Sequence, residues 1–550
     1  MTLPPTTNTK RIVLIGGGHA HVQVIKALNV NSRPSNLHVT LVDLQSSASY
    51  SGMVPGCVSK LYTLDQVQIN LDSLADWAGM DFVRGKVVGM SFEEETNNEN
   101  DDHGTKKKKE KKLILVETKT NDGNDDDHDG NNVGSKLEKI PFDVVSIDIG
   151  STSRDFSSIP GASRYTISTR PISDLVRRIE KEEEELKGKL EIDGTTTSGA
   201  QVVVVGGGAA GIELSLALRS RWNNLLDSKL SIKLIDSNNV LFPSEASACR
   251  SALQRVMEKY SIEVLHNLVV DEVTSSHVHV SSNNNNAAVV NADSDDAMTE
   301  KIPYTHCIWA TGAEAHTLAW DMHEQFGLAI SPDRGWIRVN RHLQSVSHPS
   351  VFAAGDCCEI VNGDRKSPSK AGVYAVRSGP ILIENLTRFL GVGSHCIMMD
   401  DAADERDLVA YNPQDDFLKL LMCGDGTALG FRFGIPLYGT WVWELKDHID
   451  QMFMNLFDVK NLPTHDSETN KNEVSNEEKG DDEDFDTAQY DQYEAKKERM
   501  KAEDACELLL RTDDDVDFQR AWNVLREMMG DKKYKEDVLS IFHRSPLHKR

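Results

Sequence analysis

Cysteine is scarce in this chain: there are eight in 550 residues, and only Cys357 and Cys358 stand close together. With no CxxC spacing, the zinc-ribbon, thioredoxin-like and disulfide-scaffold readings fall away, no metal site is expected, and a reducing compartment fits. Positive charge is short too. The chain carries 86 acidic against 60 basic side chains, a net charge of -26. That balance repels phosphate backbones and anionic lipid and argues against a nucleic-acid partner. No uninterrupted apolar run reaches across a bilayer. The one stretch of sufficient length, Ala200 to Leu218, holds three consecutive glycines and Glu213, and reads as a buried strand turning into a helix. Met1 to Lys10 is polar and leads straight into an apolar strand, which leaves no room for a signal or transit peptide. The expected location is cytoplasmic, with attachment to the edge of a membrane left open.

A length of 550 residues exceeds what one hydrophobic core organises, so several domains are expected. Two segments are low in complexity: 93–139, with a lysine cluster from Lys106 to Lys112, and Ser281 to Glu300, rich in Asn and then acidic. Neither buries enough apolar surface to offset an ordering cost of roughly 1–2 kcal/mol per residue, so both are expected to be mobile loops. With them set aside, an internal duplication emerges. RIVLIGGGHAHVQVIKAL reads as strand, glycine turn, helix, followed by LHVTLVD ending at Asp43 and FDVVSIDIGS closing near Gly150. QVVVVGGGAAGIELSLAL repeats the form, followed by LSIKLIDS with Asp236 near its end and HCIWATGAE closing near Gly312. Two βαβ units, each with an acidic residue ending the second strand, predict two dinucleotide sites in one chain.

The chemistry follows from the glycines. A pyrophosphate needs backbone N–H donors, a close approach and the positive end of a helix dipole, and glycine permits the approach because it has no Cβ. Gly206, Gly208 and Gly211 complete a GxGxxG between an apolar strand and an apolar-periodic helix. The first copy has Gly16 and Gly18 but His21 at the third position, which implies a wider turn. Asp236 suits a ribose 2′-hydroxyl and would repel a 2′-phosphate, by about 4 kcal/mol at 4 Å before salt screening. No arginine follows in Ser237, Asn238 and Asn239, so NADH is expected over NADPH. A third element, PSVFAAGDCCEI, is an apolar strand ending in Gly355-Asp356, where a carboxylate after a tight glycine can hold a polyol hydroxyl or simply cap a turn.

Taken together, GGG near the N-terminus, GGGAAGIE, ATG and AAGD resemble the two-dinucleotide-domain flavoproteins of the pyridine nucleotide–disulfide oxidoreductase family, over roughly Arg11 to Leu390. Within that family the chain is similar to type II NADH dehydrogenases and apoptosis-inducing-factor-like NADH oxidoreductases. Its strings YSGMVPG, SIDIGS, KAGVYAVRSGP and WVWELKDHIDQMFM match most closely the NADH-dehydrogenase-like module fused ahead of selenide, water dikinase. The resemblance implies an α/β fold with two Rossmann-like domains: a discontinuous FAD domain (1–170 and 313–395), an inserted NAD domain (171–312), and a C-terminal α+β interface region (396–460). An acidic linker (461–493) and a helical appendage (494–550) would follow. It implies that Gly16, Gly18 and Asp43 hold the adenosine half of FAD, with His19 of the same turn also at the cofactor, and that Gly355 and Asp356 take the ribityl and pyrophosphate region. NADH would lie on Gly206, Gly208, Gly211 and Asp236. Glu213 matches a carboxylate near the nicotinamide and is the expected catalytic residue, Thr311 and Gly312 match the crossover between domains, and Lys370 matches a loop against the flavin.

The redox CxxxxC of disulfide reductases is missing, since Cys57 is followed five residues on by Tyr62. Electrons are therefore expected to pass from the flavin to a quinone-like or other diffusible acceptor, the alternatives being a protein acceptor or a flavoprotein sensor. From Trp443 onward the segment reaching Phe457 has near-helical apolar spacing, with Lys446, Asp447 and Asp450 on the other side. Packing on the FAD domain or across a homodimer suits it better than a membrane surface, because it lacks a basic face.

Overall fold

The computed structural model describes residues 9–464, apart from 101–105, 120–134, 194–198, 227–228, 284–299, 362–366, 393–407, 415 and 433. The expected acidic linker beyond 464 and the helical appendage lie outside the described residues.

Two parallel sheets carry the duplication. In the first unit β1 (Lys10–Ile15) leads through a glycine turn into α1 (His21–Ala27), followed by β2 (Leu37–Asp43) and β3 (Asp81–Arg84). An antiparallel meander of β4 (Lys86–Asn100), β5 (Lys106–Lys119) and β6 (Ser135–Phe142) then precedes β7 (Val144–Ile147). The second unit runs β8 (Ile167–Ser168), β9 (Ala200–Val205), α2 (Ala209–Leu226), β10 (Leu230–Ile235) and β11 (Ile262–Leu265). Its meander is β12 (Leu268–Val273), β13 (His277–Ser282) and β14 (Glu300–Pro303), before β15 (His306–Trp309). With β16 (Val351–Ala353), the first sheet has the order β16-β7-β1-β2-β3 and the second the matching order β8-β15-β9-β10-β11. The registers correspond as well: Ile15 pairs with Val42 and Ile147, and Val205 with Ile235 and Trp309. Both central strands are apolar on both faces, as sheets covered by helices on two sides require, and Ile12, Leu14, Val202 and Val204 are buried accordingly.

Two expectations are corrected here. Much of 93–139 is strand rather than mobile loop. The acidic run Glu93 to Glu95 stands in register with Glu110 and the lysines at 109 and 111, and the ladder is anchored by the apolar residues at its base. Val87, Met90, Ile114 and Val116 are buried together with Met322 of the helix Thr317–Phe326, and Leu113 is buried as well, so tertiary packing overrides the polar composition. Of the second segment only the ends are described: Ser281 and Ser282 end β13 and Glu300 opens β14, while 284–299 lie outside the described residues. The second unit also begins earlier than residue 171, because β8 pairs in parallel with β15 through Ile167 and Ser168.

Beyond β16 come α3 (Gly372–Leu390), the antiparallel strands β17 (Lys419–Met422), β18 (Ala428–Arg432) and β19 (Ile435–Gly439), and α4 (Thr440–Asn455). Phe453 and Met454 of α4 join the core of the first unit, whereas Leu421, Leu429 and Phe431 join that of the second. The C-terminal region is thus wedged between the two units.

Candidate cofactor sites and the junction between them

The second glycine turn is open. Its place is fixed by Gly206 N donating to Ile235 O at 2.9 Å and Ala310 N donating to Val205 O at 2.9 Å. A Cβ on Gly206 (φ +118°) would lie 2.4 Å from Ala310 O, and one on Gly211 only 1.9 Å from Gly206 O, so neither position admits a side chain without moving backbone. In front of Gly208 there is free space, and Ala209 and Ala210 at the start of the 18-residue α2 are exposed. This is the geometry of an anion cradle: exposed turn, free approach, positive dipole end. Asp236 lies beneath it, 2% exposed. Its Oδ1 accepts from Asn238 N and Nδ2, while its buried Oδ2 has no hydrogen bond and lies 3.5 Å from His266 Nδ1. A carboxylate oxygen held only by that long contact, beside a pyrophosphate cradle, can still accept from a ribose hydroxyl.

The first turn is built alike but filled differently. Gly16 N donates to Val42 O at 2.8 Å and Asp148 N to Ile15 O at 2.9 Å, and a Cβ on Gly16 (φ +89°) would meet Asp148 O at 2.4 Å. Asp148 thus stands where Ala310 stands in the second unit. Its Oδ2 accepts from Ala20 N at 2.9 Å and His21 N at 3.2 Å, while Gly17 N donates to Asp43 Oδ2 at 2.7 Å. Cβ atoms on Gly18 and Gly355 would lie 2.2 Å and 2.6 Å from the Asp148 carboxyl group. Burial pushes that carboxyl up to about 7, against the two amide bonds that hold it down. An acid protonated around neutrality beside Gly18 and Gly355 accommodates a phosphate where a carboxylate would repel it.

His21 replaces the third glycine by a specific contact. Nδ1 lies 2.6 Å from Gly16 O and Nε2 2.8 Å from Ser146 Oγ. Because a carbonyl only accepts, Nδ1 carries the hydrogen and Nε2 accepts from the serine hydroxyl. Burial lowers the imidazole to about 4, which keeps it neutral. The ring therefore bonds Gly16 O, the counterpart of the Gly206 carbonyl that excludes a side chain at Gly211.

The remaining expected residues sort clearly. Asp356, 20% exposed, is 3.4 Å from Ser151 Oγ and 3.8 Å from Arg170 Nη2. Arg170, which the sequence reading missed, also donates to Ser151 O and Oγ at 2.5 and 2.6 Å. Nothing local in the string STRP marks it. Thr311 Oγ1 donates to Arg154 O at 2.6 Å and Gly312 O accepts from Arg154 N, so both tie the crossover. The Lys370 ammonium donates to Cys358 O and lies 4.2 Å over the Trp336 ring, which pins the loop after Gly355-Asp356. His19 packs against Tyr50 and Phe453, with ring centroids 5.2 and 5.7 Å away. Burial lowers its imidazole, with the Asp356 charge acting the other way.

Glu213 does not point into the open cradle. Its Oε1 accepts from Met422 N at 2.9 Å, at the seam with the C-terminal sheet. Burial raises this carboxyl to about 7, while Lys446 pulls it down. Lys446 and Asp450, expected on the polar side of their helix, are instead buried at 5% and 4% exposure. They pay no penalty of isolation, since Lys446 Nζ donates to Asp450 Oδ2 at 2.7 Å and to Gly52 O at 2.8 Å. Cys57 donates to Thr63 O, burial pushes its thiol up to about 12, and Tyr62 donates to Asp447 Oδ1 at 2.5 Å instead of offering a second sulfur. Cys357 and Cys358 are free and buried, each bonded to backbone carbonyls. Among the described residues no helix is long and apolar enough to cross a membrane, and no cluster could hold a metal ion.

Two Rossmann-type units, each with a glycine turn and an acidic residue closing the second strand, define a protein built to hold two dinucleotides. Residues 10–379 match the pyridine nucleotide-disulphide oxidoreductase family, and the chain belongs to it. It is 23% identical over 253 residues to the type II NADH:quinone oxidoreductase of Haemophilus influenzae, covering 42% of this chain and 51% of that protein. It is 22% identical over 224 residues to ferroptosis suppressor protein 1 of Homo sapiens, covering 40% and 52%. The chain thus spans about half the length of these two curated relatives. A solved structure of NDH2 from Plasmodium falciparum in complex with NADH superposes with a TM-score of 0.62 at 14% identity, over 82% of this chain and 98% of that one.

Proposed function

We propose that the chain is an NADH-oxidising flavoprotein that passes electrons to a quinone-class acceptor without a dithiol relay. The observation that carries this reading is the paired, register-matched glycine turns at the carboxyl ends of the two central strands. FAD belongs in the first, on Gly16, Gly18, His19, Asp43, Gly355 and Asp356, with the Arg170 guanidinium beside Asp356 offsetting anionic charge. NADH belongs in the second, on Gly206, Gly208, Gly211 and the Asp236 carboxylate. Bound FAD would supply the two-electron chemistry of hydride acceptance. The protein's part is positioning: the glycines set the depth of each pyrophosphate, Thr311 and Gly312 fix the crossover, and α4 fills the seam between the units. The type II NADH:quinone oxidoreductase likeness supports the quinone-class acceptor, and the buried Cys57 with Tyr62 in place of a second thiol supports the absence of a dithiol relay. The apolar side of α4 is committed to the first core through Phe453 and Met454, with Trp443 and Leu456 packed against it, which favours packing over a membrane-facing role.

The test is a visible spectrum of the purified protein followed by anaerobic titration with NADH and then NADPH. A flavin spectrum bleached by NADH, and much less readily by NADPH, is the expected result. Protein that stays colourless after refolding with FAD would overturn the reading.

A further inference from the structure

The open turn holds a second ionisable group, which the assignment of NADH leaves unused. Ile235 of β10 pairs in parallel with Leu265 of β11, so Asp236 and His266 stand side by side just past the two strand ends. Backbone bonds fix this turn: Asp236 N donates to Leu265 O at 2.8 Å, Leu268 N to Asp236 O at 3.1 Å, and Asn267 N to Asn238 O at 2.9 Å. His266 Nδ1 lies 3.5 Å from Asp236 Oδ2, and both atoms are buried without a hydrogen bond. The imidazole as a whole keeps 26% of its surface exposed, against 2% for the carboxylate. The pair adjoins the pyrophosphate cradle, since a Cβ on Gly207 would lie 2.4 Å from the Asp236 carboxyl carbon.

The charges around the ring are accounted for. Lys233 and Glu263, the charged residues of β10 and β11, pair with each other at 3.5 Å. Both are out of step with Asp236 and His266 in the strand alternation, and so belong to the other face of the sheet. On β12, Asp271 accepts from Ser281 Oγ at 3.0 Å, and Glu272 lies 3.9 Å from His279. The rest of the turn is neutral, with Asn238, Asn267 and Asn283 bonded to one another's backbone or to that of Ser237. Among the described residues, Asp236 is the charged side chain within ion-pair distance of His266.

We propose that His266 and Asp236 together read the 2′ position of the nicotinamide nucleotide, and that a protonated His266 admits the 2′-phosphate which Asp236 alone repels. This rests on the reading of the second turn as the NADH site. With the imidazole neutral, the carboxylate accepts from a ribose hydroxyl and disfavours NADPH. Imidazole is the side chain that ordinarily changes charge within the physiological range. When His266 takes a proton from solvent, its charge compensates Asp236 and gives a phosphate a cation at the same place. A pair that only braced the turn would satisfy its two facing atoms with each other. Here both keep bonding capacity beside an open cradle, which suits a site waiting for a third group.

The experiment is calorimetric titration of the FAD-loaded full chain with ADP-ribose and with 2′-phospho-ADP-ribose, at pH 8 and at pH 6. The wild type should prefer ADP-ribose at pH 8. On going to pH 6 that preference should narrow by about tenfold more than it does in His266→Gln. The variant is the necessary reference, because the 2′-phosphate itself takes up a proton at about pH 6 and does so alike against both proteins. His266→Lys, which carries a fixed cation, should show the narrow preference at both pH values. Anaerobic flavin reduction by NADH and NADPH should follow the same order. Equal narrowing in the wild type and His266→Gln, or a preference in His266→Lys equal to that of His266→Gln, overturns the proposal. A wild type that binds neither ligand at either pH overturns the placement of NADH on the second turn instead.

Discussion

The two glycine turns share strand order, register and closing hydrogen bonds, yet one is open and the other is filled by its own side chains. Where the second has Gly211, Ile308 and Ala310, the first has His21, Ser146 and Asp148. These differences belong together. The His21 ring bonds Ser146 and the Gly16 carbonyl, and the Asp148 carboxyl takes the His21 amide. The second turn leaves its helix start exposed, as suits a substrate that must come and go in every cycle. The first keeps its amides occupied, as suits a cofactor that is installed once. A binding motif can therefore be kept in backbone geometry while its polar lining is rewritten for permanence.

The largest effect on nucleotide binding should come from closing the open turn. Gly211→Val places a Cβ where Gly206 O lies 1.9 Å away. Overpacking of about 3 kcal/mol corresponds to a loss of roughly a hundredfold in NADH affinity. FAD content should survive. An NADH titration beside a flavin absorbance reading checks both halves, and equal loss of the two cofactors would mean the turns are not independent.

The filled turn makes opposite predictions about pH. Asp148, fully buried, has a folded-state pKa raised to about 7. Its stabilising contribution is complete below the unfolded value near 3.9 and is lost as pH rises through 7, roughly 4 kcal/mol in all. His21, with a folded-state pKa lowered to about 4, contributes fully above about 6.5, and loses roughly 3 kcal/mol as pH falls toward 4. Between those limits the two slopes cancel. Asp148→Asn should therefore make stability fall with decreasing pH in that window, and should hold FAD better at pH 8 than the wild type does. His21→Ala should make stability fall with increasing pH, besides costing about 2–3 kcal/mol for the lost packing and hydrogen bonds. Urea unfolding at pH 5, 6 and 7 reads both slopes. A flat profile in either variant would separate the two groups from the balance described.

How far the sequence carried this is itself unequal across the molecule. The glycine turns, Asp43, Asp236 and the duplication were legible because strand, turn and helix are local in the chain. Asp148 was in plain sight within SIDIGS, but its partners Ala20 and His21 lie more than a hundred residues away, and no local pattern links them. Arg170 gave no signal for the same reason. The lysine-rich insertion was misread because polar composition describes the charged part of the ladder and not the buried Leu113, Ile114 and Val116 at its base. On α4 the helical period found the apolar side correctly. It assigned Lys446 and Asp450 to solvent because periodicity cannot see a partner such as Gly52 O, supplied from another part of the chain.

The smallest predicted effect concerns the one acidic residue of the open turn. Asp43 in the first unit is satisfied by Gly17 N and Gln45 N, whereas Asp236 keeps a buried oxygen with no hydrogen bond and only His266 Nδ1 at 3.5 Å. If that oxygen is reserved for a ribose hydroxyl, Asp236→Asn should weaken NADH modestly and relieve the repulsion of a 2′-phosphate. The Coulomb term near a surface is about 4 kcal/mol before screening, and with salt and side-chain adjustment about 1.4 kcal/mol of it should remain, a tenfold narrowing of the NADH-over-NADPH preference. The same change at Asp43 should leave that preference where it was, because its carboxylate serves the other turn. Reduction rates with the two nucleotides, measured in both variants, would show which acidic residue reads the ribose. A preference that narrows on changing Asp43 would reverse the assignment of the two turns.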